Sequence, residues 1–304
     1  MKLEMEVVKR IIRKLMNGED YRIEVVLLLD ATFLEFALDF FEKVVHAKLK
    51  HENISTDWYK KEFLNPGLPK EDIAINSGLN MKTIANMRNT ATREIVLSES
   101  NLHYDQLFEI LNELAETDRE LELTITIRLN GVGVDLSLSE SLVVINTIAV
   151  KRAALRGGLW STAGKRVEKP LMETLCELYK VSSANYSIRI ASGAIAVEGE
   201  FDREIDFYLC TVGINHKCEV KLMGKGNPES ADAVIARHSK VFVADKLSDS
   251  NKRQLDSLDV LWVELRSDVG YRKFGEVLDR LGIPHTKPSE NIDASLTEIL
   301  NRFI

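Results

Sequence analysis

The sequence predicts an α/β protein: a mixed central β-sheet flanked by helices, preceded by a mainly helical N-terminal domain. Three observations carry that prediction. Apolar residues dominate the first half at helical spacing, as in Val7, Val8, Ile11, Ile12 and Leu15. In the second half, Arg203-Glu204-Ile205-Asp206-Phe207-Tyr208-Leu209 and Lys217-Cys218-Glu219-Val220-Lys221-Leu222-Met223-Gly224 alternate apolar and polar residues with period two, as the two strands of a hairpin do. Beyond it, strands alternate with helices, and Lys240-Val241-Phe242-Val243-Ala244 is a continuous apolar strand of the kind buried on both faces of a parallel section.

The 304 residues hold enough apolar side chains, 45% of the total, for one large domain or two ordinary ones. A net charge of −7 argues against indiscriminate nucleic-acid binding, but leaves room for a local basic groove. Three cysteines, Cys176, Cys210 and Cys218, have no metal-ligand spacing and read as reduced thiols of a cytoplasmic protein. The six histidines are scattered, without HxxxH or HExxH, so zinc is not expected. The first residues carry early acids and no signal-type apolar core. The run Val25-Val26-Leu27-Leu28-Leu29 is far too short to span a bilayer, so no membrane association is expected.

Taken in order, the first helix ends at Asn17-Gly18, and Phe33, Phe36, Ala37, Phe40, Phe41 and Val44 form the stripe of a second. Leu64-Asn65-Pro66-Gly67-Leu68-Pro69 is a breaker. Residues 70–88 then read as a helix-turn-helix. Ala74 is small where the helices touch, Gly78 permits a positive φ in the turn, and Asn80 caps the second helix. Ile84 and Met87 are expected to pack back on the first helix. Lys82, Thr83, Asn86 and Arg88 then face outward, available to base edges and phosphates. A bundle helix with an ordinary polar face is the competing interpretation. Asn130-Gly131 marks a hairpin turn between alternating strands. A helix over about 139–155 ends at Gly157-Gly158, the candidate hinge, giving domains of 1–150 and 151–304.

The second domain opens on a basic stripe: Lys151, Arg152, Arg156, Lys165, Arg166 and Lys169, with Glu168 the one acid among them. A helix over about 164–179 turns Leu171, Leu175, Leu178 and Tyr179 to the core and carries Glu168, Glu173 and Glu177. Strands at 186–190 and 194–197 precede the hairpin, whose loop is expected to span residues 211–216. Such a hairpin brings Asp206 beside Glu219 and Lys221. Two converging carboxylates repel unless a cation lies between them, and an oxygen-only ligand set suits Mg²⁺. These residues therefore predict a magnesium-dependent phosphodiesterase centre. Lys225, Asn227, Glu229, Ser230, Asp232 and Arg237 follow the second strand and open the next helix, where base-reading groups are expected. No GxxxxGK[ST] nucleotide loop is present.

The order helix, hairpin, strand, helix, strand, with Asp206 on one strand and Glu219-Val220-Lys221 on the next, resembles the PD-(D/E)xK nuclease fold. Ile205 stands where that pattern usually has proline. Glu168, within Gly164-Lys165-Arg166-Val167-Glu168, matches the carboxylate that many members carry on the preceding helix. Over roughly residues 150–266, Arg203 to Leu209 and Glu219 to Ala233 resemble type II restriction endonucleases of the CfrBI-like group. The resemblance implies sequence-specific double-strand cleavage of DNA by a homodimer with Mg²⁺. Its catalytic residues would be Asp206, Glu219, Lys221 and Glu168, with Asp206 and Glu219 on the metal. Contacts to double-stranded DNA would come from Lys225, Asn227, Ser230, Arg237, Lys165, Arg166, Lys82 and Asn86. A cognate DNA methyltransferase would be a system partner without direct binding. The competing expectations are a repair or junction-resolving nuclease of the same fold, or a DNA-binding regulator that keeps the nuclease fold for structure only.

Overall fold

The computed structural model describes residues 2–117, 124–157, 159–188, 207–222 and 239–302. In chain order the helices of the first half are α1 (Lys2–Met16), α2 (Arg22–Leu49), α3 (Thr56–Phe63), α4 (Lys70–Asn76), α5 (Met81–Arg88) and α6 (Arg93–Thr117). A hairpin of β1 (Ile125–Leu129) and β2 (Val132–Leu136) leads to α7 (Leu138–Gly157) and α8 (Leu159–Leu178). The sheet strands are β3 (Tyr186–Ser187), β4 (Phe207–Thr211), β5 (Ile214–Lys221), β6 (Val241–Ala244) and β7 (Leu261–Glu264). Three helices stand between or after the last strands: α9 (Asp249–Ser257), α10 (Lys273–Leu281) and α11 (Asp293–Asn301).

The chain divides into two compact units, one of Met1–Ala31 with Leu159–Ile304 and one of Thr32–Gly158. One boundary falls after Gly158. The other differs from the expected 1–150 and 151–304 division, because residues 1–31 belong to the sheet unit. There Val7, Val8, Ile11, Ile12 and Leu15 of α1 join Val167, Leu171 and Leu175 of α8 in one core with the sheet. Periodicity shows that a helix has a buried face, not what buries it.

Among the described residues the sheet has five strands in the order β3-β4-β5-β6-β7, and the strand expected at 194–197 lies outside them. β3, β4 and β5 are antiparallel neighbours, whereas β5, β6 and β7 are parallel, as the mixed-sheet prediction requires. The expected loop over 211–216 is instead a two-residue turn. Thr211 pairs with Ile214, and Gly213 takes φ +79° between them. That positive φ comes without strain only to glycine, so the ladder begins at once. Cys218, Val220 and Leu222 face the large core with Val241, Val243 and Val263. The opposite face carries Phe242 and Ala244, packed with Leu247, Leu255 and Val260.

The other unit is built around Phe40, Val44, Tyr59, Phe63, Ile73, Ile84 and Tyr104, with the Tyr59 and Tyr104 rings stacked at 4.1 Å. The Asn130-Gly131 turn is as predicted, with φ of 50° and 83° and Leu129 pairing Val132. Glu140 ties the unit together. Its carboxylate accepts the N–H groups of Ile54 and Ser137 at 2.9 Å each and the Lys48 ammonium at 3.0 Å. Burial pushes that carboxyl up, but these donors outweigh it and hold the pKa below the usual glutamate value.

Candidate functional site

The candidate site begins with strand alternation. Phe207 of β4 pairs with Cys218, and both face the large core. Glu219 and Lys221 therefore point to the opposite face, in register with Phe242 and Ala244 of β6. Glu219 is completely enclosed, Lys221 is 23% exposed, and its Nζ lies 2.8 Å from Glu219 Oε1. An ordinary surface ion pair leaves both partners wet and contributes little. Here one partner has lost all its water. A buried carboxylate needs a cation at hand, and the next residue on its own face supplies one. This is the Glu-x-Lys pair that the sequence singled out.

Asp206, the third member of that set, lies outside the described residues, as do Lys225, Asn227, Glu229, Ser230, Asp232 and Arg237. The described register ends at Phe207 with Cys218, the residues next to Asp206 and Glu219 in the chain. Among the described residues no group of three His, Cys, Asp or Glu side chains is placed to hold a metal ion. The donor chemistry of Glu219 suits a hard cation that takes oxygen ligands, such as Mg²⁺.

Of the three carboxylates on α8, Glu168 is the most enclosed, at 7% exposure. Its side chain folds back over Gly164, one turn earlier, as helical side chains do. A Cβ at Gly164 would come within 2.8 Å of Glu168 Oε1. Only glycine leaves that carboxylate where it is. Glu173 is half-buried, and burial, then the Glu177 charge, pushes its carboxyl up. Glu177 pairs with Arg302 at 3.1 Å.

Among the described residues, three members of the basic segment are already engaged within the protein. Lys151 lies 4.7 Å from the centre of the Phe36 ring, and Arg152 4.8 Å from that of Phe33. Burial depresses the Lys151 ammonium. Arg166 pairs with Glu4 of α1, and burial depresses its guanidinium too. The stripe is also split, since residues 151–156 belong to one unit and 165–169 to the other. The side chain of Lys165 lies outside the description.

In the helix-turn-helix segment several details are as expected. Gly78 has φ +89°, the Asn80 side chain accepts the Thr83 N–H at 2.9 Å, and Ala74 and Ile84 are fully buried. Lys82 and Asn86 are exposed. One detail is corrected: Met87 is 54% exposed instead of packing back. Arg88 is exposed as expected, with its guanidinium 2.7 Å from Glu99.

At the carboxyl ends of β6 and β7 stands a charged network of which the sequence singles out Asp245 and Lys246, at the end of a buried strand, but not Glu264 or Lys252. Asp245, 1% exposed, accepts the Tyr21 hydroxyl at 3.2 Å. Glu264, 3% exposed, receives Lys252 at 2.7 Å, Lys246 at 3.5 Å and the Leu247 N–H at 3.2 Å. Strand ends in parallel sheets are where polar groups collect, which was the available signal.

A mixed sheet flanked by helices, carrying a buried Glu-x-Lys on a central strand, is the architecture of an α/β nuclease. The chain belongs to the CfrBI restriction endonuclease family, whose model its residues 5–252 match, well over half its length. No curated protein and no solved structure matched it. Membership places the chain among restriction nucleases, with DNA as substrate. Among the described residues no helix is long and apolar enough to cross a membrane.

Proposed function

We propose that the protein is a type II site-specific deoxyribonuclease, which hydrolyses both strands of duplex DNA with Mg²⁺ as part of a restriction–modification system. The observation that carries this is the wholly enclosed Glu219 with Lys221 Nζ at 2.8 Å on the same strand face, in a member of a restriction endonuclease family. Glu219 and Asp206 would hold the metal through carboxylate oxygens. When bound, Mg²⁺ polarises the phosphate and makes water more acidic. Lys221 has three N–H donors, one directed at Glu219, leaving others to orient the attacking water and offset charge building on phosphorus. The resemblance would add Glu168 as a further carboxylate, from a helix that packs on the Cys218 and Val220 side of the sheet.

Cleaving both strands requires two such centres, which a twofold homodimer on a palindromic target supplies. A methyltransferase of the same specificity would protect the host DNA without binding this chain. Lys82 and Asn86, exposed on a well-capped α5, are available to contact DNA in addition. Lys225, Asn227, Ser230 and Arg237 are proposed base-reading residues from their place after the catalytic strand.

The test is incubation with plasmid and phage DNA in Mg²⁺ or in EDTA. Discrete fragments in Mg²⁺ and intact DNA in EDTA are expected. Smears or junction-only cutting would point to a repair-type nuclease, and shifted but uncut DNA to a regulator. Either result would overturn the proposal.

A further inference from the structure

The Glu264 cluster stands on the same sheet face as the proposed catalytic pair. Lys221 is in register with Ala244, and Ala244 with Glu264. The three are neighbours across parallel strands, so their side chains share a face. Two strand spacings separate Lys221 from Glu264, about 10 Å. Glu264 is almost fully buried, and it fixes two ammonium groups that are not: Lys246, whose side chain is 43% exposed, and Lys252, 28% exposed. Two cations on one carboxylate leave a net positive charge at the surface. Lys252 is further steadied by the Trp262 ring, whose centre is 5.5 Å from its Nζ. A surface lysine normally loses side-chain entropy when it takes hold of a ligand. These two are already held by a buried anchor.

We propose that Lys246 and Lys252 form a DNA phosphate-binding site beside the catalytic centre, preorganised by Glu264, which holds the duplex backbone next to the phosphate being cut. This rests on the proposed function only in taking Glu219 and Lys221 as the cutting centre. Phosphate contacts of this kind fix register without reading sequence.

The same strand provides its own control. Lys240 stands at the opposite end of β6, with a side chain 38% exposed and a partner, Asp259, that is 85% exposed where Glu264 is buried. Replacing either lysine with alanine changes net charge equally. About 13 Å of strand separates the two ends.

The experiment measures binding of a fluorescein-labelled, random-sequence duplex by anisotropy, in EDTA and over a range of KCl concentrations. Lys246→Ala is expected to reduce the slope of log K against log[KCl] by about 0.9, the value for one lost phosphate contact, while Lys240→Ala leaves it unchanged. Lys252→Gln, with folding checked by thermal melting, is expected to act like Lys246→Ala. Equal slopes for wild type, Lys246→Ala and Lys240→Ala would overturn the proposal and leave the cluster as an ion-pair closure of the sheet end. Equal losses from Lys246→Ala and Lys240→Ala would also overturn it, as a diffuse charge effect. Cleavage by Glu219→Gln is assayed in parallel in Mg²⁺: wild-type cutting there removes the catalytic assignment, whatever the slopes show.

Discussion

On β5, Cys218 and Val220 turn to one side of the sheet and Glu219 and Lys221 to the other. Burial reaches both sides: Cys218, Val220 and Glu219 are all completely buried, and only Lys221, 23% exposed, meets solvent. Toward α8 the strand packs into the large apolar core, and burial raises the Cys218 thiol far out of the reactive range. Toward α9 it places a carboxylate and an ammonium where apolar residues would serve stability at least as well. The difference teaches that burial alone does not separate core from site. What separates them is whether the buried group has a charge that needs a partner. A buried ion pair gains little stability over apolar packing, and chemistry is the reason a sheet would keep one.

Adjacent residues allow that contrast to be broken one face at a time. Lys221→Ala is expected to slow cleavage by about 10²–10³-fold, while the variant still binds DNA in a gel-shift assay. Val220→Ala, one peptide bond away, is expected to lower stability by about 2 kcal/mol in a urea melt and to leave the cleavage rate of the folded protein close to wild type. If Val220→Ala were the variant that lost cleavage while keeping its stability, the faces would have been assigned the wrong way round.

A smaller effect sharpens the comparison on α8, a helix that packs on the apolar side yet carries Glu168. Gly164→Ala adds a better helix former, worth up to about 1 kcal/mol, and so should leave the melting temperature equal or raised. The new Cβ must push the Glu168 carboxylate aside. Cleavage is then expected to fall about tenfold, without loss of folding. Unchanged cleavage would take Glu168 out of the centre.

Much of this contrast is legible in the sequence, because strand alternation is a covalent property. The Glu-x-Lys pair, the buried strand at Val241–Ala244, the Asn130-Gly131 turn and the Asn80 cap all follow from local chemistry. What was not legible depended on partners far along the chain. Arg166 finds Glu4 across 162 positions, and nothing in a row of basic residues announces such a partner. Lys151 and Arg152 cover aromatic rings instead of waiting for phosphate. α1 belongs to the sheet unit for the same reason: its apolar face specifies burial but not against which element. Glu264 was passed over because a lone acid at a strand end looks like any other until Lys246 and Lys252 are seen to converge on it.

The claim that the polar face of β5 is where DNA is cut is tested most directly by single-turnover cleavage with Glu219→Gln in Mg²⁺, at enzyme concentrations that saturate the DNA. The amide keeps the size of the side chain and removes its charge. Binding is expected to persist while the cleavage rate falls at least about 10²-fold. A folded Glu219→Gln that binds DNA and cuts it at the wild-type rate would contradict the account.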